Sequence, residues 1–190
     1  MFLLLSACLT NPATGRLQLN LIGDDTEVRL GQQLAAETEA TTPLLDDAEL
    51  TAYVTGVTET LAALSERPEL PWRIQVLDEP AVNAFALPGG QLYITRGLMT
   101  WLGSEDELAA VIGHEIGHVT ARHSANTLSR TILAVPLIGL VGALDPQMEH
   151  LGLLTGVGAG LARLSHSRED ERQADDLGLR YLSQAGYDPS

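Results

Sequence analysis

A chain of 190 residues with 45% hydrophobic content sets a prior for one globular domain with ample material for a core. Its formal net charge of −14, with all 11 cationic side chains arginines, argues against a nucleic-acid partner, because binding phosphates takes concentrated positive charge. A single cysteine, Cys8, excludes an internal disulfide.

The chain opens on an apolar run that ends in Leu5-Ser6-Ala7-Cys8, which resembles the end of a bacterial lipoprotein signal peptide. In such proteins the cysteine becomes the lipidated first residue, and each buried acyl methylene adds about 0.8 kcal/mol of membrane affinity. The chain starts almost inside the apolar part of such a signal and shows no positively charged leader. Residues 1–10 are therefore read as a truncated signal and anchor segment, and residues 11–190 as a single domain tied to a membrane through Cys8.

Val28 to Glu39 reads as a first helix and Asp46 to Ser65 as a second, with Leu50, Tyr53, Val54, Val57, Leu61 and Leu64 on its apolar side. Arg67-Pro-Glu-Leu-Pro71 breaks the chain. Three strands follow, Trp72 to Leu77, Asn83 to Leu87 and Gln91 to Thr95, with Pro88-Gly89-Gly90 turning between the last two. Ser104 and Glu107 read as a capping box that opens another helix, whose apolar residues Leu108, Val111, Ile112, Ile116 and Val119 recur at helical spacing.

That helix carries His114-Glu-Ile-Gly-His118. Residues four apart share a helix face, so both imidazoles can meet one zinc ion while Glu115 lies beside them. A catalytic zinc uses three protein ligands and leaves its fourth position to a water, whose proton Glu115 would take. Two unpaired histidines on a buried helix would otherwise be costly. The third ligand comes either from the acidic run Ser167 to Asp176 or from His123, His150 or His166. The acidic run is favoured. Ser167 with Asp170 starts a helix on which Glu171 and Asp175 share a face, so one carboxylate can bind the metal and the other can accept the second ring N–H of a ligating histidine. Asp175 suits that supporting role.

Between the two motifs, Ile132 to Leu144 is apolar, and Leu151 to Leu164 carries Gly152, Gly156 and Gly160 at four-residue intervals. Both runs fall short of the about 20 apolar residues that a membrane-spanning helix needs, which favours a helical hairpin packed over the site, with a membrane-dipping element as the alternative, and argues against a membrane-embedded protease.

Three stretches in order, Asn83-Ala-Phe-Ala-Leu-Pro-Gly-Gly90, His114 to Ser124 and Ser167 to Asp175, resemble zinc metallopeptidases of the prenyl-protein-protease type, and more narrowly their bacterial cell-envelope branch. The resemblance runs from about Asn11 to Pro189. It implies an α+β, zincin-like domain, mostly helical, with a small sheet ahead of the zinc helix. It further implies one Zn2+ held by His114, His118 and Glu171, with Asp175 as their support and Glu115 as the base. Relatives of this kind usually continue past the Tyr187-Asp188-Pro189 position, so an oxyanion donor, a regulatory fourth ligand and a partner-binding module are expected beyond Ser190.

Metallopeptidases of this build hold substrate as an added strand at a sheet edge, which places substrate binding at Asn83, Ala84, Phe85 and Ala86. The function expected is a zinc endopeptidase of the cell envelope, periplasmic and membrane-attached, acting on unfolded or misassembled polypeptides. A chaperone-like polypeptide-binding module with a latent or structural zinc is the alternative. Arg122 is expected to pair with a buried carboxylate such as Asp175, and His123 to be structural.

Overall fold

The computed structural model describes residues 8–11, 13–19, 21–130 and 166–188. Two short strands, β1 (Cys8–Thr10) and β2 (Leu17–Leu19), pair antiparallel at the start, with Cys8 opposite Leu19. Strands of three residues are too short to show an alternation, so the sequence offers no sign of them.

Helix α1 (Asp24–Thr41) begins four residues ahead of the expected Val28. Asp24, Asp25 and Glu27 fill its first turn, where carboxylates meet the positive end of the helix. Helix α2 (Ala48–Ala62) is capped by Asp47, whose side chain accepts from the Leu50 N–H at 2.9 Å. Its inward stripe is Val54, Val57 and Leu61. Tyr53 and Leu64, expected on that stripe, are 41% and 37% exposed. Leu64 lies past the end of the helix at Ala62, and Tyr53 sits at the stripe's edge, where its hydroxyl donates to Glu105 at 3.0 Å.

The three expected strands appear as β3 (Arg73–Leu77), β4 (Ala84–Leu87) and β5 (Gln91–Thr95), in the order β3-β5-β4. The central strand β5 runs parallel to β3, with Ile74 opposite Leu92, and antiparallel to β4, with Phe85 opposite Tyr93. Gly89, in the turn, has φ 73°, and a Cβ there would come within 2.6 Å of the Val28 Cα; only glycine lets this turn rest against α1. A single helical turn, α3 (Arg96–Met99), leads to α4 (Glu105–Thr120), residues 123–130 form helix α5, and α6 (Arg168–Ala185) follows.

The sheet lies between two layers. Ile74 and Val76 of β3 and Leu92 and Ile94 of β5 face α2, α4 and α6, packing with Leu61, Ile112, Ile116 and Tyr181. Tyr93 and Leu87 face the other way onto Leu34 and Ala35 of α1. Alternate residues of one strand thus enter two different cores, which is why all five residues of β5 are buried. The architecture is the expected α+β arrangement, mostly helical, with a small sheet ahead of the motif helix. The hairpin expected within residues 132–164 lies outside the described residues, as do Met1 to Ala7 and His150. Among the described residues no helix is long and apolar enough to cross a membrane.

Candidate metal centre

Helix α4 starts at Ser104, whose hydroxyl accepts from the Glu107 N–H at 3.2 Å. Only half of the expected capping box forms, because the Glu107 carboxylate accepts from the Gly103 N–H at 2.6 Å instead of from Ser104. At the start of α6 the box is complete: Ser167 and Asp170 each accept from the other's backbone N–H, at 3.2 and 2.9 Å. The two helices then cross in close contact. A Cβ on Gly117 would sit 2.7 Å from the Ala174 carbonyl oxygen, and one on Gly178 would sit 2.9 Å from the His114 nitrogen. Backbone therefore packs on backbone, and this brings the acidic face of α6 up to the histidines of α4.

The expected ligands meet there. The Nε2 atoms of His114 and His118 are 3.0 Å apart, and Glu171 presents its two oxygens 3.5 Å from His114 Nε2 and 3.7 Å from His118 Nε2. Two ligands at about 2.0–2.2 Å on a tetrahedral zinc stand about 3.3–3.6 Å from each other. Two imidazole nitrogens and one carboxylate oxygen at these separations fit such an ion with small adjustments. On the other side of His114, Nδ1 is 2.8 Å from the Asp175 carboxylate. With Nδ1–H donating to Asp175, Nε2 is left bare for a metal. His118 is held neutral, the form a metal requires, with its pKa lowered to about 2 by burial and then by the imidazoles of His166, His114 and His123. A second set, His118, His123 and His166, also brings three ligand atoms within 4.8 Å, but it shares His118 with the first.

Glu115 lies beside His114 and Glu171, and its carboxylate meets the backbone of β4 at Ala86. Burial pushes its carboxyl up to about 7, Glu171 adds to the rise, and the His114 imidazole and a hydrogen bond from the Ala86 backbone N–H work against it. That hydrogen bond reveals the orientation of β4. The Thr95 N–H donates to the Asn83 carbonyl at 3.0 Å, so by antiparallel alternation residues 83, 85 and 87 turn their peptide groups to β5. Ala84 and Ala86 turn theirs to the open edge, beside Glu115. The Phe85 ring stacks on Tyr93, with centroids 5.2 Å apart, on the α1 side.

Arg122 pairs with a buried carboxylate as expected, but the carboxylate is Glu27 and not Asp175. It pairs with Asp24 at 2.9 Å and with Glu27 at 2.8 Å, and donates to the Ile22 carbonyl at 2.7 Å; Asp175 is engaged by His114. Glu27, 1% exposed, also takes both Nη atoms of Arg67, and Arg67 in turn donates to the Val119 carbonyl at 3.1 Å. This buried clasp fastens α1 to the C-terminal end of α4. Its members lie far apart in sequence and carry no spacing signal. Arg122 itself has φ 58°, a left-handed conformation that ends α4 and turns the chain so that the next residue, His123, points back into the core.

The profile of Peptidase family M48 matches residues 48–190. The mitochondrial metalloendopeptidase OMA1 of Schizosaccharomyces pombe is 34% identical over 189 residues, which cover 94% of this chain and 53% of that protein. The β-barrel assembly-enhancing protease of Yersinia pestis is 31% identical over 173 residues, 87% of this chain and 36% of that protein. The corresponding protease of Escherichia coli K12 is 29% identical over 172 residues, 86% of this chain and 35% of that protein. The chain thus spans about half the length of these relatives, or less.

Proposed function

This chain belongs to peptidase family M48, and we propose that it is a zinc-dependent endopeptidase, with a zincin-like domain over residues 11–190, that hydrolyses unfolded or misassembled cell-envelope polypeptides. The observation that carries this reading is the convergence of His114, His118 and Glu171 from two helices, with the Glu115 carboxyl beside them and next to an open strand edge. His114, His118 and Glu171 would hold the zinc, which supplies polarisation of the scissile carbonyl and a water of lowered pKa. Glu115 takes the water's proton at its carboxylate and returns it to the leaving amine. Asp175 holds His114 by its Nδ1 proton.

Substrate lies along Asn83 to Ala86 as an added strand, with the outward N–H and carbonyl of Ala84 and the carbonyl of Ala86 supplying the hydrogen bonds. Recognition through backbone favours extended polypeptide over folded protein. The relatives named β-barrel assembly-enhancing protease support a cell-envelope location, where a lipid on Cys8 would tie the protein to a membrane.

The test is cleavage of a labelled, permanently unfolded protein by zinc-loaded wild type and by Glu115→Gln, side by side. Cutting by wild type alone, with zinc retained in the variant, is the expected result. Zinc bound without cutting by either would replace the peptidase with a polypeptide-binding module, and loss of zinc from Glu115→Gln would contradict the roles assigned.

A further inference from the structure

The two histidines of the motif have different partners behind them. His114, at the more open side, gives its Nδ1 to the Asp175 carboxylate. His118, whose side chain is only 5% exposed, meets no carboxylate at its Nδ1 among the described residues; the atom lies 2.9 Å from Nδ1 of another imidazole, His123. His123 is itself fully enclosed, and its Nε2 is 3.3 Å from the Gln173 Oε1 and 3.7 Å from the Asp170 carboxylate. Gln173 is not free to turn over, because its amide nitrogen donates to Glu169 at 2.9 Å and so leaves the oxygen facing His123.

These contacts admit one proton arrangement compatible with a metal at His118 Nε2. A bare Nε2 requires the proton on Nδ1, and that proton can be donated to His123 only if His123 Nδ1 is bare. His123 then carries its proton on Nε2, where Gln173 accepts it. The opposite arrangement, with His123 donating from Nδ1, puts the His118 proton on Nε2 and closes it to a metal. We propose that His123 is a positioning residue that accepts the Nδ1 proton of His118 and, held by Gln173, locks His118 in its metal-binding tautomer and orientation.

The left-handed turn at Arg122 places His123 there, and α6 supplies both orienting groups: Asp175 for His114 directly, and Gln173 for His118 through His123. The proposal rests on the reading of His118 as a zinc ligand.

The test is zinc affinity of the full chain by competition with a chromophoric chelator, for wild type, His123→Leu, His123→Asn and Gln173→Leu. Melting of the metal-free proteins and the visible spectra of the Co(II) forms are recorded alongside. His123→Leu leaves the His118 N–H without an acceptor and is expected to weaken zinc roughly 10–100-fold and to shift the cobalt bands. His123→Asn, whose amide oxygen can stand where Nδ1 stood, is expected to restore affinity to within a few-fold of wild type. Gln173→Leu, which keeps both histidines and removes the acceptor of the His123 Nε2 proton, is expected to fall between them and carries the test if His123→Leu does not fold. Wild-type zinc affinity in folded His123→Leu, or in folded Gln173→Leu if the former does not fold, overturns the proposal, as does a second ion per chain that His123→Leu alone removes. A wild-type chain that binds no zinc overturns the metal-site reading itself, and that outcome is separate from any difference among the variants.

Discussion

The helix pair α4–α6 and the sheet edge at β4 meet at Glu115, and they are built in opposite ways. In the helix pair the polar groups that face the site are engaged: His114 on Asp175, His118 on His123, and Glu171 on both histidines. Gly117 and Gly178 let the two backbones touch, so the ligand positions are fixed by the closeness of the helices. At the edge, β5 satisfies one side of β4 and leaves the peptide groups of Ala84 and Ala86 for another chain, save for the hydrogen bond from Ala86 to Glu115. Rigidity thus belongs to the part that would hold a metal, and unused hydrogen-bonding capacity to the part that would hold a varied substrate.

Removing a ligand breaks the first half outright. Glu171→Ala leaves two imidazoles, and zinc affinity measured by chelator competition should fall by more than the about 100-fold that loss of a ligand's hydrogen-bond partner can cost. Next in size is a pH effect at the junction. In the metal-free protein the Glu115 carboxyl titrates at about 7 against an ordinary 4.5, so the stabilisation is complete below pH 4.5 and is lost as pH rises to about 7. Glu115→Gln removes that dependence. Denaturant unfolding of the metal-free variant should show a gain of up to about 3 kcal/mol over wild type above pH 7, with the pH-dependent part of the gain gone below pH 4.5.

Gly178→Ala should then cost about 1–3 kcal/mol in unfolding free energy, because the added methyl meets the backbone of His114 and the helices must part. Zinc affinity should fall with it. The smallest effect belongs to the edge. Ala84→Pro removes an outward N–H that β5 does not use, and proline is tolerated at such positions. Loss of one hydrogen bond, worth about 1 kcal/mol, should lower kcat/KM for an unfolded substrate roughly five-fold while zinc affinity holds. If Ala84→Pro instead disturbs zinc binding, edge and helix pair are not separate devices.

The spacing of the candidate site residues made them legible in the sequence: His114 and His118 at four residues, Glu171 and Asp175 at four residues, each pair on one helix face. The three strands of the β3-β5-β4 sheet were legible too, because alternation and the Pro88-Gly89-Gly90 turn mark them. Contacts between distant segments left no such trace. The parallel register of β3 on β5, the clasp of Glu27 with Arg67 and Arg122, and the packing of Gly178 against Gly113 each depend on how elements meet in space. Arg122 shows the cost of reading one helix alone. Its place near His118 on the helix suggested Asp175 as a partner, but the left-handed turn at Arg122 swings the side chain to α1, where Asp24 and Glu27 wait. His123 follows the same rule: its chemistry was visible, and its role depended on where that turn would aim it.

On the reading proposed above, α4 and α6 together form one three-ligand metal site. Anomalous diffraction at the zinc edge from a crystal of the zinc-loaded chain tests it most directly. A single ion within about 2.2 Å of His114 Nε2, His118 Nε2 and a Glu171 oxygen is the result expected. An ion seated on His118, His123 and His166, with Glu171 away from it, would contradict the claim.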